Sequence, residues 1–303
     1  MRTLKTSEAA AVLNVSPNTL RAWERRFGYP KPQRSPGKHR LYTHGEIAAL
    51  RDALQEGLSI SSAISRARES VSADTNVLIG ALGAFELDRA DGAMEAALAL
   101  RSVERSVEEV LLPSLDEIAV RHGSDSAPWA FASRWADDWL HRALRLAPPS
   151  SRPRSILIGD ATRDELDPSR LALRAFELFG TRAGMRVLTL PVTGLSGLGD
   201  VLAAFGPEAV VIAGEEVRDD DVARWAYRVR ATAGALPVLL FRRGGRDDRP
   251  RTTGARHLPA TPSQAVRLVI DVLESGGAGV LPADHMEAAD AAAQGARHGR
   301  MSA

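Results

Sequence analysis

The run Ser16-Pro17-Asn18-Thr19-Leu20-Arg21-Ala22-Trp23-Glu24-Arg25-Arg26-Phe27 is a helix written with its own start and stop signals. Ser16 offers a hydroxyl to the free N–H groups of the first turn, and Pro17 sits where a missing N–H costs nothing. Leu20, Trp23 and Phe27 recur at helical spacing on one face, leaving Asn18, Arg21 and Arg25 on the other. Gly28 and Pro30 end the helix.

Upstream, Thr6 is expected to cap a shorter helix through Leu13, with Asn14-Val15 as the turn. Downstream comes a basic loop, Arg34-Ser35-Pro36-Gly37-Lys38-His39-Arg40-Leu41-Tyr42. Thr43-His44-Gly45-Glu46 then reads as a capping box opening a third helix through about Glu56. Gly57 breaks that helix, and Ser59 starts a fourth to about Ser70.

The major groove of B-DNA admits one helix, and arginine on it can bond guanine or neutralise phosphate. Arg21, Arg25 and Arg26 are placed for that work, beside Ser16, Asn18 and Thr19. The glycine-containing loop can follow the backbone as a wing, with Arg34, Lys38, His39, Arg40 and Tyr42 as contacts. Aromatic residues in so small a unit are ordinarily core, which is the competing reading for Trp23 and Tyr42.

Charge is distributed accordingly. Residues 1–70 hold 12 Lys+Arg against 6 Asp+Glu, while residues 72–148 hold 7 against 13. A basic head on an acidic body suits one module that meets a polyanion and one that stays off it. The chain has no cysteine, which excludes disulfides, iron–sulfur clusters and thiolate metal sites. Its seven histidines are scattered without metal-ligand spacing. No apolar stretch reaches the roughly 20 residues of a membrane helix, and the N-terminus lacks a signal-peptide core, so a cytoplasmic, nucleoid-associated protein is expected. Of 39 basic residues only Lys5, Lys31 and Lys38 are lysine, a bias typical of GC-rich bacterial genomes.

Length sets a prior of two or three domains. After the head (1–71), residues 72–148 read as a four-helix bundle: Val77 to Phe85, Ala93 to Leu100, Val103 to Ile118 and Pro128 to Leu146 carry helical apolar spacing. Pro148-Pro149-Ser150-Ser151-Arg152-Pro153 is a linker by composition. From 154 to 275 short apolar runs alternate with helices. Ile156–Gly159, Val187–Leu190, Ala209–Ala213 and Val238–Phe241 are parallel-strand candidates, with a shorter one at Arg256–Leu258. The fold class is therefore multidomain: an all-α winged helix-turn-helix head, a four-helix bundle, then an α/β flavodoxin-like parallel sheet. Residues 276–303 are Ala/Gly-rich without a period and read as a disordered tail.

The pattern Thr6…Ala9…Leu13…Ser16-Pro17…Thr19-Leu20-Arg21…Trp23-Glu24, then Arg34…Gly37…Arg40…Tyr42…Ile47…Leu50, resembles the winged helix-turn-helix of MerR-family regulators over residues 2–70. That resemblance implies a dimeric or tetrameric regulator on double-stranded promoter DNA, with RNA polymerase as a further contact and no membrane partner. The bundle and β/α region resemble, by domain order, the cobalamin-dependent light-responsive MerR regulators of carotenoid genes.

The residues depart from that subfamily where it holds its cofactor. Its Glu-x-His-x-x-Gly motif falls on Glu165-Leu166-Asp167-Pro168-Ser169-Arg170, so Asp167 replaces the lower cobalt ligand and Arg170 the glycine. A carboxylate is a poor substitute for imidazole on cobalt. The cap's Glu-His pair falls on Trp129-Ala130, its upstream Trp on Ala119, and Phe241-Arg242-Arg243 stand near the tunnel for the nucleotide tail. No cofactor is expected, although the alternative is a genuine cobalamin sensor or corrinoid-carrying module on a DNA-binding head. A third reading is an antagonist that binds a partner through the body alone.

The carboxyl ends of the strands would be rimmed by Asp160, Arg163, Asp164, Glu165 and Asp167, with Glu215-Glu216 after the third strand. Such a rim suits a cationic ligand, or it is simply a solvated loop. Trp129, Trp135 and Trp139 share a helix and read as bundle core. Gly159-Asp160-Ala161-Thr162-Arg163 lacks dinucleotide glycine spacing, and no Ser/His/Asp arrangement has context, so no enzyme is expected.

Overall fold

The computed structural model describes residues 3–34, 39–151, 154–194, 196–214, 219–234, 236–241 and 256–275. The expected tail from 276, together with Lys38, Glu215-Glu216 and Arg242-Arg243, lies outside them.

The N-terminal unit is not purely helical. Strand β1 (Thr3–Lys5) leads into α1 (Thr6–Val12) and α2 (Pro17–Phe27), followed by β2 (Gln33–Arg34), β3 (Arg40–Thr43) and α3 (His44–Gln55). The three strands form an antiparallel sheet in the order β1-β3-β2, with Leu4 opposite Tyr42 and Arg34 opposite Arg40. This sheet corrects the all-α expectation. Lys5, not Thr6, is the residue before α1, and its N–H is bonded by Glu8 Oε2 at 2.7 Å. Leu4, Ala9, Ala10, Leu13, Leu20, Tyr42, Ile47 and Leu50 make one small core.

Helix α4 (Ile60–Gly83) departs most from the sequence reading. It runs 24 residues without a break, so the expected junction at 71/72 lies inside a helix. Its start is capped by Ser59, whose Oγ accepts from the Ser62 N–H at 3.2 Å. Helix α5 (Leu87–Leu100), α6 (Val103–Ser106), a π-helical turn (Val107–Leu111), α7 (Leu112–His122) and α8 (Ala127–Arg145) complete the helical layer. Trp129 and Trp135 are buried in it and Trp139 is half-buried, as core aromatics would be.

Strands β4 (Ser155–Asp160), β5 (Arg186–Pro191), β6 (Ala209–Ala213), β7 (Val238–Phe241) and β8 (Arg256–His257) form a parallel sheet in the order β5-β4-β6-β7-β8. Burial on both faces explains the unbroken apolar runs Ile156-Leu157-Ile158 and Ala209–Ala213. Helices α10 (Leu198–Phe205) and α11 (Asp219–Ala233) cover one face. Helices α9 (Pro168–Arg182) and α12 (Pro262–Glu274) cover the other and share a core with the helical layer. Thus Phe176, Phe241, Leu112 and Trp129 belong to one apolar cluster, and the head's core is a separate one. Among the described residues no helix is long and apolar enough to cross a membrane.

Candidate nucleic-acid interface and the sheet crevice

Helix α2 is positioned by its cap and its stop. Ser16 Oγ accepts the Thr19 N–H at 3.0 Å and lies 2.8 Å from the Thr19 hydroxyl. Gly28 takes φ 65°, a left-handed conformation that favours glycine, and its N–H closes on the Glu24 carbonyl. Between those ends Leu20 is fully buried and Trp23 leans on the same core. Asn18, Arg21, Arg25 and Arg26 are exposed on the opposite side. Arg21 Nη1 bonds Asn18 Oδ1 at 3.3 Å, and the Arg26 guanidinium lies 5.1 Å from the Phe27 ring centre.

The basic loop divides. Arg34 is on β2 and His39 is exposed, whereas Arg40 is turned inward, its Nε 2.9 Å from Glu24 Oε2. Arg40 therefore ties the β3 strand to α2 instead of presenting a free charge. Tyr42 is fully buried, and burial, with the Glu24 carboxylate, pushes its phenol up. Tyr42 departs from the expected exposed contact, because its ring would have to leave the core to reach a groove, while Arg40 stays partly exposed beside its partner Glu24. The exposed set is thus narrower than the sequence suggested.

The second expected site lies where the chain reverses winding, between β4 and β6. Here the backbone itself closes the space. The Ala161 N–H bonds the Ala213 carbonyl at 2.8 Å. Gly214 takes φ 137°, and a Cβ there would lie 2.5 Å from the Ala161 carbonyl. The acidic rim is knit into the same loop. Asp160 Oδ1 accepts from Thr162 N and Oγ1 at 2.9 and 2.6 Å, and Asp164 Oδ1 from Leu166 N at 2.8 Å. Glu165 is exposed.

Asp167, at the position expected to ligate cobalt, is buried and faces its own backbone. It is the N-cap of α9: Oδ1 accepts from Ser169 N and Oγ at 2.9 and 2.7 Å, and Oδ2 from Arg163 N at 2.8 Å. The helical layer also presses directly on this loop. Trp129 is buried and its indole N–H donates to the Leu166 carbonyl at 2.8 Å, with Ala130 half-buried beside it. Asp137 on α8 receives Arg174 Nε at 3.0 Å and Arg170 Nε at 3.7 Å, both from α9. Phe176 and Phe241 stack with ring centres 5.0 Å apart. The residue at the expected ligand position is thus a helix cap, and Trp129 from the helical layer bonds the loop beside it. No group of His, Asp or Glu among the described residues could hold a metal ion.

Sequence reasoning missed a third cluster, where the head meets the body. Glu46, expected to close a capping box, only half does so: Thr43 Oγ1 accepts the Glu46 N–H at 3.3 Å. The Glu46 carboxylate instead takes the Lys31 N–H at 3.0 Å and Arg105 Nη1 at 2.6 Å. Arg105 also grips Glu109 through Nε and Nη2 at 3.0 and 2.9 Å, and Lys31 Nζ reaches Glu109 at 3.1 Å. Burial pushes the Glu46 carboxyl up against the pull of Arg105. Burial works against charge on Arg105 too, but Glu46 and Glu109 outweigh it, and the guanidinium is held firmly protonated. Glu109 is also partly desolvated, yet Arg105 and Lys31 hold its carboxyl below the usual range.

A capped helix with an arginine-bearing exposed face, set after a short helix and a turn, defines a helix-turn-helix unit. Residues 4–66 match the family described as MerR HTH family regulatory protein. The chain is 33% identical over 168 residues to the HTH-type transcriptional repressor CarA of Myxococcus xanthus, covering 51% of this chain and 58% of that protein. It is 27% identical over 143 residues to the HTH-type transcriptional repressor CarH of the same organism, covering 40% and 48%. Both matches span less than two thirds of the relative's length. Among solved structures, the Methanosarcina barkeri monomethylamine corrinoid protein aligns with a TM-score of 0.49 at 12% identity, over 64% of this chain and 96% of that one.

Proposed function

We propose that the protein is a sequence-specific regulator of transcription that reads double-stranded promoter DNA with a winged helix-turn-helix head. One observation carries the proposal: the Ser16-capped helix α2 buries Leu20 and leaves Asn18, Arg21, Arg25 and Arg26 on one exposed face. That face is the size and charge a major groove accepts, with β2, β3 and the loop between them as the wing. The match of residues 4–66 to MerR regulators and the names of the curated relatives support the reading. The protein acts on DNA in the cytoplasm, without catalysis of its own, and RNA polymerase is a further contact.

The remainder divides into a four-helix bundle and a flavodoxin-like α/β unit, with the head giving way to the bundle along α4. We assign this body the pairing of heads, as a homodimer or tetramer, without cobalamin. The capping role of Asp167 and the Trp129–Leu166 bond support the absence of cobalamin. Paired heads would sit about 34 Å apart on successive major grooves.

Mapping bound sites across the genome tests the proposal. Discrete peaks sharing an inverted repeat are expected from the wild-type chain. Uniform recovery of all DNA, with no shared sequence, would overturn it.

A further inference from the structure

Outside the shared helix α4 and the packing of α3 against α5, the head meets the body through a cluster of charged side chains. The apolar cores of the two parts are separate clusters. Between them stand Glu46 and Lys31 from the head and Arg105 and Glu109 from the body. Thr43 adds a hydroxyl bond to the Leu100 carbonyl at 3.3 Å. The Glu46 side chain is only 1% exposed and Arg105 12%, so these charges have been taken out of water to make the contact. Glu46 Oε2 has no hydrogen-bond partner, which makes the pair with Arg105 its principal compensation.

The segment that supplies Arg105 also grips the α/β unit. Glu104 accepts Arg182 Nε from the end of α9 at 2.8 Å. Glu108 accepts both the N–H and the hydroxyl of Ser263, at the start of α12, at 2.7 and 2.9 Å. Residues 105 and 109 lie one helical turn apart and face the head, while 104 and 108 lie one turn apart and face the sheet's helices. The two faces meet within a few residues, and the π-helical turn Val107–Leu111 falls on the same stretch. Turns of this kind are rare and concentrate at functional sites. Polar contacts of this kind between domains set orientation without welding the parts together.

We infer that residues 104–109 are a coupling element that fixes the angular setting of the DNA-reading head against the body. Arg105 and Glu46 act as positioning residues for operator half-site spacing. This rests on the proposed function, because spacing matters only if two heads share one body. It goes beyond it by naming the residues that set the geometry. Arg105 does not touch the exposed face of α2, so its effect falls on which spacing is accepted and not on affinity for a single half-site.

Pulsed electron paramagnetic resonance on the full chain tests the inference. The protein contains no cysteine, so spin labels at Ala11→Cys in the head and Val120→Cys in the body are specific; both positions are exposed. Diluted into an excess of unlabelled protein, so that only the distance within one chain is read, the otherwise wild-type chain is expected to give a single narrow distance. Arg105→Gln should broaden it, and so should Arg182→Gln combined with Ser263→Ala, which touches no head residue. If Arg105→Gln fails to fold, Glu46→Gln, the same shape without the charge, provides the same measurement. An unchanged narrow distance in either Arg105→Gln (or its substitute Glu46→Gln) or the Arg182→Gln, Ser263→Ala variant overturns the coupling. In gel shifts, discrimination between the natural half-site spacing and one lengthened by a base pair should fall about fivefold or more in Arg105→Gln. Single half-site affinity should stay the same; an equal loss for all spacings also overturns the inference. A wild-type chain that bound no DNA would sink the proposed function while leaving the distance measurements standing.

Discussion

Replacing Asp167 separates a helix cap from a remnant of a ligand site. In Asp167→Ala the first turn of α9 loses the acceptor for Ser169 N, and the Arg163 N–H in the preceding loop loses its partner at 2.8 Å. Loss of an N-cap costs about 1 kcal/mol, and hydrogen bonds to a charged group contribute about 1.5–3 kcal/mol. Because one of the three bonds is to a hydroxyl that can turn elsewhere, the expected cost is about 2–4 kcal/mol. For a unit of this size that lowers the melting temperature by roughly 5–15 °C. Asp167→Asn keeps an oxygen for Ser169 N and should lose about half as much. Asp167→His restores an imidazole, yet it should be as destabilised as the alanine variant and remain colourless after mixing with hydroxocobalamin and desalting. The layer it would serve is filled by Trp129, Phe176 and Phe241. Circular dichroism melts and visible absorbance measure both effects. An alanine variant within about 0.5 kcal/mol of wild type, or a coloured histidine variant, would refute the reasoning.

Trp129→Phe removes the indole N–H and leaves the Leu166 carbonyl unpaired. It should lower stability by about 1–2 kcal/mol in denaturant unfolding, well short of the 3–5 kcal/mol expected for Trp129→Ala. Ser16→Ala should cost the head about 1 kcal/mol, read as faster amide exchange in α2 than in α3. Burial pushes the Glu108 carboxyl up although Ser263 pulls it down, so the native state holds this proton more tightly than the unfolded chain does. Its contribution is full below the unfolded value and is lost as pH rises through the folded one. The melting temperature of Glu108→Gln, relative to wild type, should therefore rise as pH increases from about 4, the ordinary range of a glutamate; a flat or falling difference would contradict that sign.

Signals that act within a few residues were legible in the sequence. Ser16-Pro17 and Gly28 bound α2, and Pro168 and Pro262 stand at the first helical positions of α9 and α12, where proline is a local start signal. Apolar runs located β4, β6 and β7, because burial on both faces leaves no polar position to confuse the period, whereas β5 and β8 lie at the edges of the sheet and are partly exposed. Helix α4 was not legible as one piece: the charge balance changes near residue 71, but nothing there breaks a helix, and a shift in composition is no stop signal. The partners of Glu46, Arg40 and Glu108 lie 59, 16 and 155 residues away, beyond any local pattern. Glu46 is the clearest case, since Thr-x-x-Glu reads as a closed capping box and a distant arginine diverts its second half. In the basic loop, charge alone could not distinguish His39, exposed, from Arg40, paired to Glu24.

The salt dependence of binding to the DNA upstream of its own gene tests the central claim most directly. The logarithm of the binding constant should fall steeply and linearly with the logarithm of salt concentration, and Arg21→Ala and Arg25→Ala should each weaken binding and change the slope by up to about 1. Binding that ignores salt, or variants that match wild type at every concentration, would contradict it.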